Sequence, residues 1–180
     1  MIDYCHNVDG MRQLADFVER MMAEPVSKAG RVAAVPSGDG RNGDTGPRRG
    51  RAIGVIGIPG DRRDDDQREY GAIAATAFDE IIVREDKNLR GRPAGQAATN
   101  VIEGVRDARS RGAARTTKAE RILEETAAVK MALRRAAPGD LLVCCVDDAI
   151  GVYRAAMAAA GSSRGATAFA DPGELEAPEG

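Results

Sequence analysis

Short apolar runs alternate along the chain with longer segments in which apolar residues recur every three or four positions. The short runs, bounded by glycine, proline or charged residues, predict buried strands, whereas the recurring positions predict helices with one apolar face. The predicted strands are 1–4, 52–58, 80–83 and 141–146, with a short edge strand at 115–119.

A helix is predicted after each strand, and polar residues mark several of the ends. Asn7 or Asp9 caps the first helix, Asp147 with Asp148 caps the last, and Pro138 stops the fourth. The predicted core faces, in chain order, are Met11, Leu14, Ala15, Val18 and Met22; Tyr70, Ile73, Ala74, Ala77 and Phe78; Ala98, Val101, Ile102, Val105 and Ala108; Ile122, Thr126, Val129, Leu133 and Ala136; and Ala149, Val152, Tyr153, Ala156 and Met157.

The alternation of strand and helix predicts an α/β fold, a doubly wound, mostly parallel sheet with helices on both faces. Ligands of such sheets bind at the carboxyl ends of the strands. Polar clusters follow the predicted strands at 4–7, 60–64, 84–92 and 147–148, so they would meet at that edge. Their convergence indicates a site, although strand-to-helix loops are usually polar and chance is the alternative.

One domain covering 1–160 is predicted, because a chain of 180 residues suits a single core. Segment 25–50 is rich in glycine and proline without a period, which favours a flexible loop inserted into that domain. Segment 161–180 is polar and contains glycine and proline, so we expect a disordered tail.

The charge balance of 26 basic and 28 acidic residues gives no drive toward nucleic acid or membrane. Aromatic residues make up 3% of the chain, which leaves few side chains for stacking on bases. No apolar run approaches the roughly 20 residues of a membrane span, and we expect a cytoplasmic protein. Cys5, Cys144 and Cys145 form neither a zinc pattern nor a disulfide framework, so no metal site is predicted.

Segment 51–66, RAIGVIGIPGDRRDDD, combines a buried strand, a glycine turn and an acidic helix start. Backbone N–H groups and the helix dipole at such a turn attract anions, and Arg62 and Arg63 could pair with phosphate or carboxylate. A purely structural reading is the alternative, since glycines at tight turns need no ligand. The spacing Gly54-x-x-Gly57-x-x-Gly60 departs from G-x-G-x-x-G, so it is a poor dinucleotide signal.

Three motifs resemble those of one enzyme superfamily. DYCHN at 3–7 resembles the Asp-Tyr-x-His-x motif that opens the C-terminal domain of Mur ligases, and GDRRD at 60–64 resembles their Gly-Asp-Arg-Asp segment. The strings GDRRDDD, FDEIIVRED and LRGRPAG look most like the C-terminal Mur-ligase-like domain of cyanophycin synthetase. The resemblance runs from residue 1 to about 160 without 25–50, and implies a Rossmann-like Mur ligase C-terminal domain.

Mur ligases phosphorylate a carboxylate with ATP and let an amine attack the acyl phosphate; cyanophycin synthetase adds arginine in this way to a poly-aspartate backbone. The resemblance therefore implies ATP as cofactor, with Mg²⁺ held by a central domain outside this chain, and arginine as the expected amino acid. By position, the implied nucleotide-binding residues are His6, Asn7, Arg62 and Asp64, and the implied substrate-binding residues are Glu85, Asp86, Arg90 and Arg92.

The mixed charges of the 85–92 loop suit a substrate that carries both a guanidinium and a carboxylate. For this loop the alternative is a solvated turn with internal salt bridges. For His6 the alternative is a helix-capping or core histidine.

The sequence contains no G-x-x-x-x-G-K-[ST], and so lacks the lysine and hydroxyl that activate phosphate in P-loop enzymes. We therefore expect the isolated chain to be an incompetent ligase, a substrate-closing lobe whose other domains lie in cis or on a partner chain. Two alternatives stay open: a stand-alone nucleotide- or amino-acid-binding module, and an inactive remnant. ATP and an amino acid are the expected partners; nucleic acid and membrane are not.

Overall fold

The computed structural model describes residues 1–23 and 50–163. Apart from its last residue, the predicted loop at 25–50 lies outside the described residues, as does most of the predicted tail at 161–180. The strands are β1 (Ile2–Asp3), β2 (Ala52–Ile56), β3 (Glu80–Val83), β4 (Lys118–Arg121) and β5 (Leu141–Cys145). The helices are α1 (Val8–Ala23), α2 (Asp64–Ala77), α3 (Gln96–Ser110), α4 (Glu125–Arg135) and α5 (Ala149–Ser163).

The described strands form one parallel sheet in the order β1-β5-β2-β3-β4. Helices α1, α2 and α3 cover one face and enclose one apolar core, while α4 and α5 cover the other face and enclose a second. The predicted α/β class, with a doubly wound parallel sheet between helices, is confirmed.

Strand β2 is buried on both faces, as its continuous apolar sequence predicts. Ile53 and Val55 belong to the core under α4 and α5, while Ala52 and Ile56 belong to the core under α1, α2 and α3. Gly54 faces the core under α1, α2 and α3, where a Cβ would lie 3.0 Å from the ring of Phe78. Glycine here makes room for an aromatic ring.

Helices α2 and α3 pack very closely because a glycine stands at each contact point. A Cβ on Gly71 would lie 2.0 Å from the carbonyl oxygen of Val101. A Cβ on Gly104 would lie 1.8 Å from the carbonyl oxygen of Arg68. The two helix backbones therefore touch, and they form a rigid support beside the turn that follows β2.

An ion-pair network lines the edge where the strands begin. The backbone N–H and the guanidinium of Arg51 both donate to Asp140 at 2.8 Å, which ties the start of β2 to the start of β5. Arg135 pairs with both Glu80 and Glu120, which joins α4 to β3 and β4. Burial would raise the pKa of Asp140, but the hydrogen bonds from Arg51 outweigh it and lower the pKa. This network lies at the edge opposite to the one where such sheets bind ligands.

Two helix starts agree with the predicted caps. The side-chain oxygen of Asn7 accepts the Gly10 N–H at 2.7 Å, so Asn7 rather than Asp9 caps α1. Asp148 accepts the Gly151 N–H at 2.9 Å in the same way at α5.

The last helix differs from its predicted apolar face. Val152 is buried, but Tyr153 is 54% exposed and Met157 is 44% exposed, because the described neighbours of α5 cover one narrow side of it. Helix α5 also continues to Ser163, past the predicted domain end at 160. The predicted edge strand at 115–119 is β4, shifted toward the C-terminus.

Candidate functional site

One crevice of the kind in which ligands of doubly wound sheets bind lies at the carboxyl ends of β2 and β5, neighbouring strands whose following helices cover opposite faces. The guanidinium of Arg84 lies at this point. Its Nε donates to the carbonyl of Cys145 at 3.1 Å, and the side chain is 3% exposed. A Cβ on Gly57 would lie 2.8 Å from the same Nε atom. The guanidinium of Arg84 therefore occupies the crevice.

Three carboxylates surround this guanidinium. Nη1 of Arg84 donates to Asp86 at 2.6 Å and to Asp147 at 2.9 Å, and Glu125 lies 3.4 Å away. Burial alone would lower the pKa of Arg84, but the contacts with the carboxylates raise it, so the side chain stays charged. Sequence reasoning placed this residue in the polar cluster at 84–92 but did not single it out as a site residue. Its signal was an arginine directly after the apolar run EIIV, at a strand end facing the crevice.

The turn after β2 is shaped by close packing. A Cβ on Gly60 would lie 2.2 Å from the carbonyl oxygen of Leu89, so the turn touches the backbone of the 84–92 loop. Buried Gln67 donates to the carbonyl of Pro59 at 3.2 Å and accepts from Asn100 at 2.8 Å. The glycine spacing is thus explained by contacts within the chain, and no dinucleotide is needed to account for it.

Glu85 caps α3 with its carboxylate. The residue is 6% exposed; Oε2 accepts the Gly95 N–H at 2.7 Å, and Oε1 accepts the Ala98 N–H at 3.1 Å. A carboxylate is stabilised there by the helix dipole as well as by the hydrogen bonds. Both oxygens of this predicted substrate residue are therefore engaged in holding the loop against α3.

Asp86 is half-buried beside the same cation. Burial raises the pKa of Asp86; the Arg84 guanidinium opposes that increase and the charge of Asp147 adds to it. The net shift is upward. Burial therefore disfavours the charged form of this carboxylate relative to the unfolded chain.

Arg90 pairs with Asp61 at the exposed corner of the loop. Nη1 of Arg90 lies 2.9 Å from the Asp61 carboxylate, and both side chains are 44% exposed. The hydrogen bond from Arg90 lowers the pKa of Asp61. Arg90 has a φ of 50° and Gly91 a φ of 84°, so a non-glycine residue adopts the left-handed region here. Because functional loops often store such strain, this corner is a candidate point of movement.

Arg92 ties the loop to the glycine turn more firmly. Its guanidinium donates to Asp64 at 2.6 Å, to the carbonyl of Gly60 at 2.6 Å and to the carbonyl of Arg62 at 2.8 Å. The hydrogen bond from Arg92 lowers the pKa of Asp64. The space between the 84–92 loop and the turn is too small for a water molecule, with a free volume of about 0 Å³. An amino acid would need the loop to move.

His6 lies at the edge of β1, in a cleft of about 380 Å³. Its Nδ1 lies 2.8 Å from the carbonyl oxygen of Tyr4, and the two rings are 4.8 Å apart. Tyr4 is 62% exposed and His6 is partly buried. Asn7 lines the same cleft and caps α1, so neither the capping nor the core alternative describes His6.

A second cleft of about 300 Å³ brings Asn7 and Arg62 together between the first turns of α1 and α2. Arg62 is exposed, and in the part of the chain that the structure describes no carboxylate lies within ion-pair distance of its guanidinium. Arg12 lines this cleft too and pairs with Asp9 at 2.5 Å and with Glu69. First-turn N–H groups of a helix lack intrahelical acceptors. The cleft therefore combines an unpaired cation with a helix N-terminus.

Asn7 belongs to both clefts, so His6, Asn7 and Arg62 lie on one continuous surface. Asp64 does not line either cleft and belongs with the loop through Arg92. Within residues 1–23 and 50–163, no three histidines, cysteines or acidic residues are grouped so that they could hold a metal ion.

Nor is any helix in those ranges long and apolar enough to cross a membrane.

Comparison of folds gives the class of protein. A murein peptide ligase (Mpl) from Psychrobacter arcticus superposes with a TM-score of 0.54 at 13% identity, over 93% of this chain and 28% of that one. The chain therefore has the fold of a segment of a Mur ligase.

Sequence comparison identifies the relatives within that class. Cyanophycin synthetases from Synechocystis sp. and Crocosphaera subtropica are 36% and 32% identical to it over 143 residues, and that from Trichormus variabilis is 42% identical over 94 residues. These alignments cover 79%, 79% and 52% of this chain. The chain spans 13% of the length of the first two relatives and 10% of the third. No protein-family model matches. The resemblance to cyanophycin synthetase is confirmed, as homology to a segment of it.

Proposed function

We propose that this chain is the C-terminal lobe of an ATP-dependent acid–amino-acid ligase resembling cyanophycin synthetase. The lobe closes over ATP and positions the incoming amino acid, arginine, for attack on an acyl phosphate. The observation that carries the proposal is the continuous surface formed by His6, Asn7 and Arg62, in a chain homologous to that ligase. The P-loop and the Mg²⁺ ligands belong to other domains, in cis or on a partner chain.

The chemistry of the second cleft supports contact with the phosphates. Arg62 carries an exposed positive charge, and fixed cations stabilise the charge that develops on phosphoryl oxygens during transfer. The N-terminus of α1 adds its dipole at the same place. His6, in the adjoining cleft, contacts the nucleotide from the α1 side. Asp64 acts indirectly, since its pair with Arg92 fixes the backbone that carries Arg62.

The aspartates of the turn support arginine as the amino acid. Asp61 and Asp64 each hold a guanidinium, from Arg90 and Arg92. An arginine substrate presents the same group and can replace Arg90 on Asp61, because exposed ion pairs exchange at little cost. Arg90, once released, becomes available to the substrate carboxylate.

The residues at the start of the loop are held in place, so the exchange of ion pairs would occur on an anchored backbone. Glu85 anchors the loop to α3, and Asp86 anchors it to the buried Arg84. Truncation of either side chain to alanine removes its hydrogen bonds and would let the loop adopt several positions. Selectivity for arginine would then fall, even though neither carboxylate reaches the substrate.

A chimeric ligase tests the proposal: residues 1–163 replace the homologous segment of the Synechocystis relative. ATP-dependent addition of arginine to a poly-aspartate primer supports it, whereas a folded chimera that binds ATP and adds no amino acid opposes it. Within the chimera, Arg62→Ala raises the KM for ATP about tenfold and leaves the KM for arginine unchanged. Glu85→Ala and Asp86→Ala raise the KM for arginine and leave that for ATP unchanged.

Arg63→Ala is the matched control for Arg62→Ala. Arg63 is adjacent and exposed, pairs with Asp66 at 2.7 Å, and lines neither cleft. If both changes raise the KM for ATP equally, the assignment of Arg62 is wrong.

A further inference from the structure

The Arg84 side chain joins two strands that are not neighbours in the sheet. Strand β2 lies between β3 and β5, yet the Nε of Arg84, directly after β3, donates to the carbonyl of Cys145 at the end of β5. The side chain passes over the end of β2 at Gly57, where a Cβ would lie 2.8 Å from Nε. Glycine at this position therefore permits a direct link between the strands on either side of β2.

Asp147 sets the orientation of this guanidinium. Its two carboxylate oxygens accept from both terminal nitrogens, Oδ2 from Nη1 at 2.9 Å and Oδ1 from Nη2 at 3.4 Å, so the contact is forked. Nη1 has a second hydrogen, which it donates to Asp86 at 2.6 Å. Because Nε is held by the carbonyl of Cys145, the plane of the group is fixed, and Nη1 points at Asp86.

Glu125 is a competing acceptor for the same nitrogen. Its carboxylate lies 3.4 Å from Nη1, and its two oxygens accept the N–H groups of Asp147 and Asp148 at 2.8 Å and 3.1 Å. Without the Asp147 carboxylate, one hydrogen of Nη1 loses its acceptor, and rotation of the guanidinium toward Glu125 would supply another. A rotated guanidinium would no longer aim its other hydrogen at Asp86.

We propose that Asp147 is a positioning residue for the amino-acid site: through Arg84 it fixes Asp86, and with it the 84–92 loop. The inference rests on the proposed function, in which this loop releases its own Arg90 in exchange for the amino acid. It adds a residue from the turn between β5 and α5, across the crevice from the loop. Both sides of the crevice then determine where the loop lies.

Exposure makes Asp147 a better residue to change than Arg84. The side chain of Asp147 is 39% exposed, whereas those of Arg84 and Asp86 are 3% and 14% exposed. Removing the central cation would leave buried carboxylates unpaired and lower stability whatever its role in function. A change at the outermost carboxylate keeps the cation beside Asp86, so an effect on the loop can be measured apart from folding.

Amide hydrogen exchange of the full 180-residue chain tests the link between Asp147 and the loop. Asp147→Asn keeps the size of the side chain but removes its charge and one acceptor oxygen. We expect the amides of 86–92 to exchange about tenfold faster than in the parent, while those of α1 exchange at the parental rate. Unchanged exchange in 86–92, or equal acceleration in α1, would overturn the proposal.

Kinetics of the chimeric ligase test the link between the loop and the amino acid. Asp147→Asn should raise the KM for arginine about fivefold and leave the KM for ATP unchanged. Asp147→Glu keeps the charge but moves it by one methylene, so a smaller rise in the same KM is expected. A parental KM for arginine in Asp147→Asn, or an equal rise for both substrates, would overturn the positioning role even if the loop exchanges faster.

Asp148→Asn is the matched control. Asp148 is adjacent and exposed, and it caps α5 by accepting the Gly151 N–H at 2.9 Å. Asparagine caps helices about as well as aspartate, so both measurements should stay parental, and equal effects of the two variants would overturn the proposal. A folded parent chimera that adds no arginine would refute the proposed function instead, whereas hydrogen exchange would still decide whether Asp147 fixes the loop.

Discussion

At the scale of single residues, Arg84 holds the carboxyl edge of the sheet together. We predict that Arg84→Met lowers the free energy of unfolding by about 3–5 kcal/mol, because removing one partner of a buried ion cluster leaves the other charges uncompensated. Urea denaturation measures this change in the free energy of unfolding. The control is Arg63→Met, whose exposed pair with Asp66 contributes little, so its midpoint stays nearly unchanged. Equal effects for both variants would contradict the role given to Arg84.

Asp86 gives a prediction about pH. Its pKa is raised in the folded chain, so the folded state holds the proton more tightly than the unfolded state. Stability from this group therefore falls as pH rises from the unfolded value through the raised folded value. Asp86→Asn removes that loss: the variant should unfold at higher urea than the parent at pH 7, with the difference vanishing below about pH 4.

Asp61→Asn is the control for this pH series. The pKa of Asp61 is lowered by Arg90, so its substitution should act in the opposite direction. The Asp61→Asn variant should be less stable than the parent at neutral pH, and the difference should vanish in acid. The same sign for both variants would mean that a general effect of charge was being measured.

The candidate residues whose proximity the sequence could predict are those that belong to a local motif. Asn7 and Arg62 belong to the 3–7 and 60–64 motifs, and they meet in one cleft. The partners of Glu85 and Arg92 could not be predicted, because each bond spans ten or more residues and depends on how the loop folds back. Arg84 was missed for the same reason, since its carboxylates come from three different segments.

At the scale of elements, the contact between α2 and α3 depends on the absence of two side chains. We predict that Gly71→Ala and Gly104→Ala each lower the free energy of unfolding by about 1–3 kcal/mol, because a Cβ would meet a backbone carbonyl that cannot turn away. This cost should exceed the roughly 1 kcal/mol that alanine gains over glycine in a helix.

Arg106→Ala is the control on α3, an exposed position where a change within about 0.5 kcal/mol is expected. If Gly71→Ala or Gly104→Ala proves stabilising, the helices are free to separate and do not fix the turn after β2.

Element types were predictable because apolar spacing differs sharply between strands and helices. The buried face of each helix was less predictable. The apolar residues of α5 fit a helical face, yet Tyr153 and Met157 are exposed, because the packing of α5 is set by β1 and α4 rather than by its own pattern. The start of β4 moved for a related reason. Arg115 is held by Asp79 at 2.6 Å, so pairing begins later, at Lys118.

At the scale of the whole molecule, the two edges of the sheet have different roles. The edge where strands begin is cross-linked by Arg51, Arg135 and their carboxylate partners. At the opposite edge the Arg90–Asp61 pair is exposed and its backbone is strained, and Arg62 has no ion-pair partner among the described residues. The alternation of strand and helix was enough to predict the edge at which the candidate residues lie. It could not show that Arg90 and Arg92 close the loop onto the aspartates of the turn after β2.

That closure leads to a prediction for the isolated chain. Arg90 and Arg92 of the loop are paired with aspartates and the sequence has no P-loop, so millimolar ATP or arginine should raise the unfolding temperature of the 180-residue protein by less than about 1 °C. Thermal unfolding followed by circular dichroism measures it. The same ligands should stabilise the chimeric ligase, because its other domains supply the missing contacts.

Each outcome separates the hypotheses about the chain. A shift of several degrees in the isolated chain, abolished by Arg62→Ala for ATP or by Asp61→Ala for arginine, would favour a stand-alone binding module over a ligase lobe. A shift that survives both substitutions would reflect binding elsewhere and contradict the assigned surface. No shift in either the isolated chain or a folded chimera would favour the inactive remnant. Stabilisation of the chimera alone is what a lobe requires, because the remaining contacts to each ligand then come from the rest of the ligase.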